Sequence, residues 1–304
     1  MDEESLSVKN LNSNTHLHFK IGIIGAGKVG LVLASLLREC GNEITAVYTN
    51  NDNNIERVNA ILNGVEICSI EEVIEKSEIV FFTIPDDALY PTIQNLADNN
   101  VFKDNQILIH TSGRCGMEVF AGVKNAIGMC IHPIMTFTGT SLDVSKLKKA
   151  SFAIDCNKMM LPLAQALVVE MGGNPIIVDS EYKGLYHAAL SHGANHMALI
   201  VSQSLEMLDI VGVENPELIV KPLFQAALDR ALSERAGGIS GPVVRSDVQT
   251  IEKHIQSIAN INRSDLLDLY MKLVESSATQ CLREKIITQE TFDSICEIIK
   301  CYSV

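Results

Sequence analysis

Several polar residues of this chain stand where apolar runs end, the position from which a side chain can reach a reacting atom. His110, Thr111, Ser112 and Gly113 follow one such run, and His132 and Pro133 follow the next. A histidine titrates near neutrality, so it can donate to a reacting oxygen, although a histidine at a strand end serves equally as a hydrogen-bonded part of the framework. Further on, Lys183, His187, Ser191 and Asn195 recur at i, i+4 spacing. On a helix each such step drifts by about 40°, so the four form one slanting polar stripe, facing either a cleft or solvent. His192 and His196 lie off it. The last group is Ser240-Gly241-Pro242 with Arg245, Asp247, Thr250 and His254. Here a turn opens a helix, Asp247 is placed to cap it, and Arg245 can either grip a carboxylate bidentately or pair with Asp247. Donors beside a cationic anchor suit the polarisation of a carbonyl and the stabilisation of the alkoxide that develops from it.

A second anion is implied near the start. In IGIIGAGKVG, Gly25, Gly27 and Gly30 have GxGxxG spacing between an apolar run and a helical pattern. Gly25 permits the tight turn, Gly27 lets backbone approach a pyrophosphate, and Gly30 allows close helix–strand packing. Ala26, Lys28 and Val29 complete the loop, and the helix start offers N–H groups to the anion. The spacing alone also occurs in tight turns that bind nothing; the strand–turn–helix setting favours a dinucleotide. The next strand ends in Tyr48, Thr49, Asn50 and Asn51, without the acid that accepts ribose hydroxyls in NAD sites. Short polar side chains here, with Arg57 beyond, favour NADP(H), with Asp52 as the nearby competing feature; the same segment also reads as a solvated turn. Pro85 stops a later strand and Asp86 opens the following helix, where it stabilises the dipole or lines the cofactor crevice. Thr111 points to the same crevice.

These residues need elements to carry them. From Lys20, short apolar runs alternate with helical patterns, as βαβ units do. Strands are expected at 21–24, 44–48, 65–68, 79–84, 106–110, 126–131, 151–155 and 175–178. After Asp179 the chain reads as helices over 181–211, 216–233, 247–258 and from 264 to the C-terminus. The expected fold class is therefore α/β: a Rossmann doubly wound, mostly parallel sheet followed by an all-α C-terminal domain. The divisions are an extension over 1–19, a dinucleotide-binding domain over 20–179, and a helical substrate or dimerisation domain over 180–304.

Apolar residues make up 47% of the 304, enough to bury a sizeable core, and Lys plus Arg total 24 against 37 acids, a formal charge of -13. That field repels nucleic acid and anionic membrane surfaces, so neither is an expected partner. A small anionic substrate would have to be captured by a few local cations and amides. The eight cysteines show no CxxC or zinc-type spacing and read as reduced thiols of a cytoplasmic protein; no metal site is expected. The polar, acidic start does not resemble a signal peptide, and no run reaches the roughly 20 apolar residues of a membrane span. His16 and His18 there read as solvated.

In order, IGIIGAGKVG, IPDDAL, HTSG, HPIMTF, YHAA and SGPVVRSDVQTIEKH resemble a Rossmann-like oxidoreductase family whose C-terminal helical region was long catalogued as a domain of unknown function. The likeness spans about 20–288. The family is similar to pyrroline-5-carboxylate reductase, prephenate dehydrogenase and ketopantoate reductase, and one branch is an alternative type of ketopantoate reductase in pantothenate synthesis. The family's Thr-Gly-Pro is here Ser240-Gly241-Pro242, its Arg-Gly-Asp is Arg245-Ser246-Asp247, and its Ser-Asn is Ala194-Asn195. The resemblance implies an NADPH-dependent reductase of a small 2-oxo acid, with 2-dehydropantoate foremost. Prephenate dehydrogenases carry a histidine and a serine at positions that His132 and Ser112 match. Common-type ketopantoate reductases use a Lys and an Asn on the equivalent helix, which keeps Lys183 and Asn195 in view. The proton donor is then His132 or His187, Ser112 and Asn195 orient the carbonyl, and Arg245, Lys183 and Ser191 contact the substrate. Cyclic-imine reduction and a non-catalytic NADP-binding regulator are the alternatives. A homodimer through the C-terminal helices is a further expectation.

Overall fold

The computed structural model describes residues 18–302; the extension expected over 1–19, with His16, falls almost wholly outside them. The first part of the chain alternates strands and helices: β1 (Lys20–Ile24), α1 (Lys28–Glu39), β2 (Glu43–Tyr48), α2 (Asp52–Ile61), β3 (Glu66–Ile67), α3 (Ile70–Lys76), β4 (Ile79–Phe82), α4 (Asp86–Asp98), β5 (Ile107–His110), β6 (Ile127–Pro133), α5 (Leu142–Leu147), β7 (Ser151–Cys156), α6 (Leu161–Glu170) and β8 (Asn174–Ile177). All eight expected strands form. Their order in one sheet is β3-β2-β1-β4-β5-β6-β7-β8. Pairing is parallel from β3 through β6, β7 runs antiparallel to β6, and β8 follows β7 in parallel. The fold is thus a mostly parallel, doubly wound sheet, with a helical C-terminal region.

Strands covered on both faces need apolar side chains on both, which is why β4 reads IVFF and is buried throughout. One face packs Leu31, Leu33, Leu36 and Leu37 of α1 on Ile21, Phe81 and Ile109. The other packs Leu89, Ile93 and Leu96 of α4 on Val80, Phe82 and Leu108. Parallel pairing sends the carboxyl ends of β1, β4, β5 and β6 to one edge in a row, and the order reverses beside β1, where such sheets open a crevice. β6 runs farther than the sequence reading expected. His132 sits within the strand, opposite Ala153, rather than after it.

The helix expected over 181–211 is divided. A 3-10 turn at Ser180–Tyr182 leads into α7 (Lys183–Ser191), a π-helical segment follows at His192–His196, and α8 spans Met197–Ile210. The i→i+5 bonds of a π segment widen the turn, so Asn195 does not continue the i+4 stripe of Lys183, His187 and Ser191. The chain divides into two compact units at Gly193/Ala194, later than the compositional change at Asp179. The reason is local: α7 is tied to the sheet through Lys183 and Tyr186.

The second unit holds α8, α9 (Pro216–Glu234), α10 (Val248–Ala259), α11 (Ser264–Arg283) and α12 (Gln289–Tyr302). Ile251 and Ile255 of α10, Met271, Val274 and Cys281 of α11, and Ile295 and Ile299 of α12 make its core. Among the described residues no helix is long and apolar enough to cross a membrane. None of the eight cysteines is in a disulfide.

Candidate functional site

The glycine loop joins β1 to α1. Gly25 has φ +108°, a left-handed conformation that disfavours a side chain, and Thr83 Oγ1 at the end of β4 donates to its carbonyl at 2.6 Å. A Cβ on Gly30 would collide with that same carbonyl and with Thr83 Oγ1, so Gly30 is required by packing. Gly27 differs: a Cβ there would meet no protein atom within 4 Å. It forms the N-cap of α1 without a side-chain cap, leaving the first-turn N–H groups of Lys28, Val29 and Gly30 directed outward. An open cradle at a bare helix start fits a pyrophosphate.

At the end of β2, Asn51 accepts from Asn53 N at 3.0 Å and caps α2, so its oxygen is committed to the fold. Thr49 Oγ1 accepts from Asn51 N at 3.3 Å, and Asn50 is exposed. Arg57 donates to the Gly139 carbonyl at 2.7 Å, and a Cβ on Gly139 would collide with both Arg57 and Lys28. The two cations therefore flank one residue of the β6–α5 loop. Buried Asp143 holds that loop, accepting from Thr138 N and Gly139 N, each at 2.7 Å, and from Thr138 Oγ1 at 2.9 Å. No carboxylate among the described residues pairs with Arg57 or Lys28. Pro85 forms the N-cap of α4. Asp86 and Asp87 lie 3.5 and 2.8 Å from the Arg114 guanidinium, which ties the start of α4 to the loop after β5.

That loop carries the HTSG residues, and the structure gives two of them framework roles. His110 is fully buried; its Nδ1 accepts from Ser112 N at 3.3 Å and its Nε2 bonds the Gly116 carbonyl at 3.1 Å. Ser112 is also buried, and its hydroxyl oxygen accepts from Arg114 N at 3.1 Å and Cys115 N at 2.9 Å. Its oxygen is thus occupied in closing the turn, and only its proton remains to offer. Thr111 N continues the ladder to Phe82 O at 3.3 Å.

Gly113 is the pivot. A Cβ there would lie 2.8 Å from His132 Nε2 and 2.9 Å from His187 Cδ2, so rings from β6 and α7 converge over a residue that has no side chain. His132 Nδ1 and Tyr186 Oη are hydrogen-bonded at 2.7 Å. Behind them lies Lys183, only 1% exposed, donating to Cys130 Sγ at 3.0 Å, with its ammonium 5.7 Å from the Tyr186 ring centroid. No described carboxylate is within ion-pair distance of Lys183. The Lys183 side chain is thus sealed from solvent. Burial, then Lys183 and His187, lower the His132 pKa to about 4, and burial and Lys183 lower that of His110 to about 3. Both imidazoles are neutral at pH 7. Burial also raises the Cys130 thiol to about 11, so it stays protonated. The cluster therefore presents two neutral imidazoles beside the buried Lys183 side chain.

Ser191, on the same helix as His187, is half-buried, whereas Asn195 is exposed in the π segment. In the second unit Asp247 accepts from Thr250 N at 3.1 Å and Thr250 Oγ1 at 2.7 Å, the expected cap of α10. No Arg245–Asp247 ion pair forms, and Arg245 is exposed. His254 Nδ1 bonds Tyr270 Oη at 2.8 Å and belongs to the helix packing. Ser246 has φ +55°, a conformation that glycine adopts without strain, which accounts for the glycine of the related Arg-Gly-Asp motif.

Sequence reasoning passed over Tyr186 and Cys130. Cys130 lies two residues before His132 and so on the same face of the strand, and Tyr186 lies i+3 from Lys183 on the same face of the helix; both spacings were the available signal.

Residues 8–133 match the Rossmann-like domain model, and residues 150–277 match a domain of unknown function, DUF2520. No curated protein matches the chain. Among solved structures, a Bacteroides fragilis protein described as an NADP oxidoreductase is 20% identical, with a TM-score of 0.73 over 86% of this chain and 98% of its own. Protein TM1727 of Thermotoga maritima is 22% identical, with a TM-score of 0.64 over 87% and 99%. A pyrroline-5-carboxylate reductase of Streptococcus pyogenes is 13% identical, with a TM-score of 0.57 over 86% and 99%. The chain thus joins a Rossmann-like domain to DUF2520, on a fold shared with these proteins.

Proposed function

We propose that this protein is an NADPH-dependent reductase of a small 2-oxo acid, with 2-dehydropantoate, reduced to pantoate, as the foremost substrate. The observation that carries the reading is the pair of histidine rings over Gly113, with neutral His132 backed by the buried Lys183 ammonium, on the sheet edge that also carries the open glycine loop. The Gly25–Gly30 loop and the start of α1 hold the pyrophosphate, and Thr49, Asn50, Arg57 and Lys28 receive the adenosine ribose and its 2′-phosphate. When bound there, NADPH would supply the hydride for reduction of the carbonyl carbon. His132 or His187 would donate a hydrogen bond to the oxygen as it becomes an alkoxide, which then takes its proton from solvent water, and the Lys183 potential would stabilise the developing charge.

Support for NADPH over NADH comes from the two cations beside Gly139 and the absence of an acid at the end of β2. A positive charge at Lys183 would also weigh against a protonated cyclic imine. The test is NADPH absorbance with a panel of 2-oxo acids and cyclic imines. Oxidation with 2-dehydropantoate, faster with NADPH than NADH, supports the reading; tight NADPH binding with no oxidation by any oxo acid overturns it.

The working form we propose is a homodimer through α8 and α9. Leu199, Ile210, Leu218, Ile219, Leu223 and Leu232 are each between 48 and 75% exposed on helices that are apolar on several sides, a pattern of helices buried in a core. Sedimentation should give twice the chain mass at micromolar concentration, and Leu223→Glu should return it to the monomer. A monomeric wild type sinks this part of the proposal.

A further inference from the structure

We infer that Tyr186 is a positioning residue that fixes His132 in the tautomer with its proton on Nε2, so that the nitrogen facing Gly113 and His187 is a hydrogen-bond donor and not a base. The inference rests on the reductase reading for its use, but its geometry stands alone. The Tyr186 ring meets His132 edge-on, with centroids 5.7 Å apart and planes at 89°, which brings Oη to Nδ1 at 2.7 Å. A phenol is a stronger donor than acceptor, and an imidazole nitrogen is a stronger acceptor than a phenol oxygen. The stable arrangement is therefore O–H donated to Nδ1, which leaves the ring proton on Nε2. Burial pushes the Tyr186 phenol well above its usual range, so that proton stays in place at every working pH.

The groups around His132 agree with this. Lys183 is a pure donor whose bond goes to Cys130 Sγ, so it offers no acceptor that would draw the Tyr186 proton elsewhere. His187 and Lys183 both disfavour the imidazolium, and Asp86, which favours it, is tied to Arg114. His110 uses its own two nitrogens within the loop. No carboxylate bonds Nδ1, which is the arrangement that would turn His132 into a base. The consequence is chemical: His132 polarises a substrate oxygen as a neutral N–H, and the charge of the pocket stays on Lys183.

The test is nitrogen-15 histidine NMR on the full chain at pH 7 without cofactor, with His132 identified by the signals that vanish in His132→Gln. The expected spectrum has a protonated Nε2 and a bare Nδ1 in a single tautomer. Tyr186→Phe should give a tautomer mixture and, in the oxo-acid assay, lower kcat by about tenfold while KM changes far less. A wild-type spectrum with a protonated Nδ1 overturns the inference, as does an unmixed Nε2–H tautomer in Tyr186→Phe. Should that variant not fold, the wild-type spectrum decides. The expected spectra with no turnover of any oxo acid would sustain the tautomer and refute the reductase.

Discussion

Replacing Gly113 by alanine places one methyl group between the two rings. Its carbon would sit 2.8 Å from His132 Nε2, 2.9 Å from His132 Cε1 and 2.9 Å from His187 Cδ2. Comfortable contact is at about 3.5 Å or more, so each ring must retreat by roughly 0.6 Å. His132 does not retreat freely: it is pinned at Nδ1 by Tyr186, and its strand is paired to β7 opposite Ala153. Gly113 is not among the glycines with positive φ, so the backbone itself accepts alanine and the whole effect falls on the rings. Overpacking of this size costs about 1–3 kcal/mol, or a lowering of Tm by roughly 2–8 °C. Because a displacement approaching 1 Å at a reacting group costs up to about a hundredfold in rate, kcat should fall by about 10–100-fold. The glycine loop is untouched, so NADPH affinity should hold. Steady-state kinetics, NADPH titration and a thermal melt measure the three quantities. Wild-type turnover in a folded Gly113→Ala protein would show that the rings over Gly113 do not touch the reacting group.

The glycine loop separates binding from folding: Gly27→Ala, whose methyl meets only a bound ligand, should weaken NADPH by about tenfold or more with Tm nearly unchanged, whereas Gly30→Ala should lose stability first. Equal effects of the two on Tm would contradict the open cradle. His132 and His110 are held near 4 and 3, below the usual 6.5 of the unfolded chain, so unfolding takes up protons in acid; stability is full above about pH 6.5 and falls as the pH drops toward 4. At pH 5 the loss should be about 2 kcal/mol for each histidine, read from urea midpoints at pH 7 and 5, and His132→Gln should remove its share. Lys183→Met fills the same volume without a buried charge, so the fold should be unchanged or gain about 1–4 kcal/mol while the His132 pKa rises by NMR; a marked loss of stability would mean that Lys183 is a structural ion.

Most of the scaffold was legible because the sheet is covered on both faces, which makes β1, β4 and β5 nearly continuous apolar runs punctuated by turn residues. The Gly25–Gly30 turn was equally plain, since each glycine answers to a local backbone demand. The polar residues were harder. HTSG looked like a row of donors, but His110 and Ser112 are occupied in building their own turn, and that is decided by loop hydrogen bonds that spacing does not reveal. Asn51 is drawn away in the same manner by capping α2. The stripe on the first long helix failed at Asn195 because a π segment changes the angular step, and i+4 counting assumes a uniform one. Conversely Gly113, which reads as a mere turn residue, proves to be the space into which two rings fit.

The charge of the site follows from which partners the acids have found. Asp86 and Asp87 are tied to Arg114, Asp155 accepts from Ser180 Oγ, and Asp143 is consumed by the Thr138–Gly139 loop, so the carboxylates near the ends of β4, β5 and β6 are already engaged. Among the described residues Lys183 has no carboxylate within ion-pair distance; it donates to Cys130 Sγ and lies against the Tyr186 ring face. On the proposed reading, a positive charge at Lys183 would disfavour a protonated imine and favour an oxo-acid anion. On that reading a chain of net charge -13 would hold a small anion where its overall field repels one, because a buried cation is little screened while the surface acids are. The neutrality of His132 has the same origin: burial first, and then Lys183, disfavour a protonated ring, which would add a second buried charge.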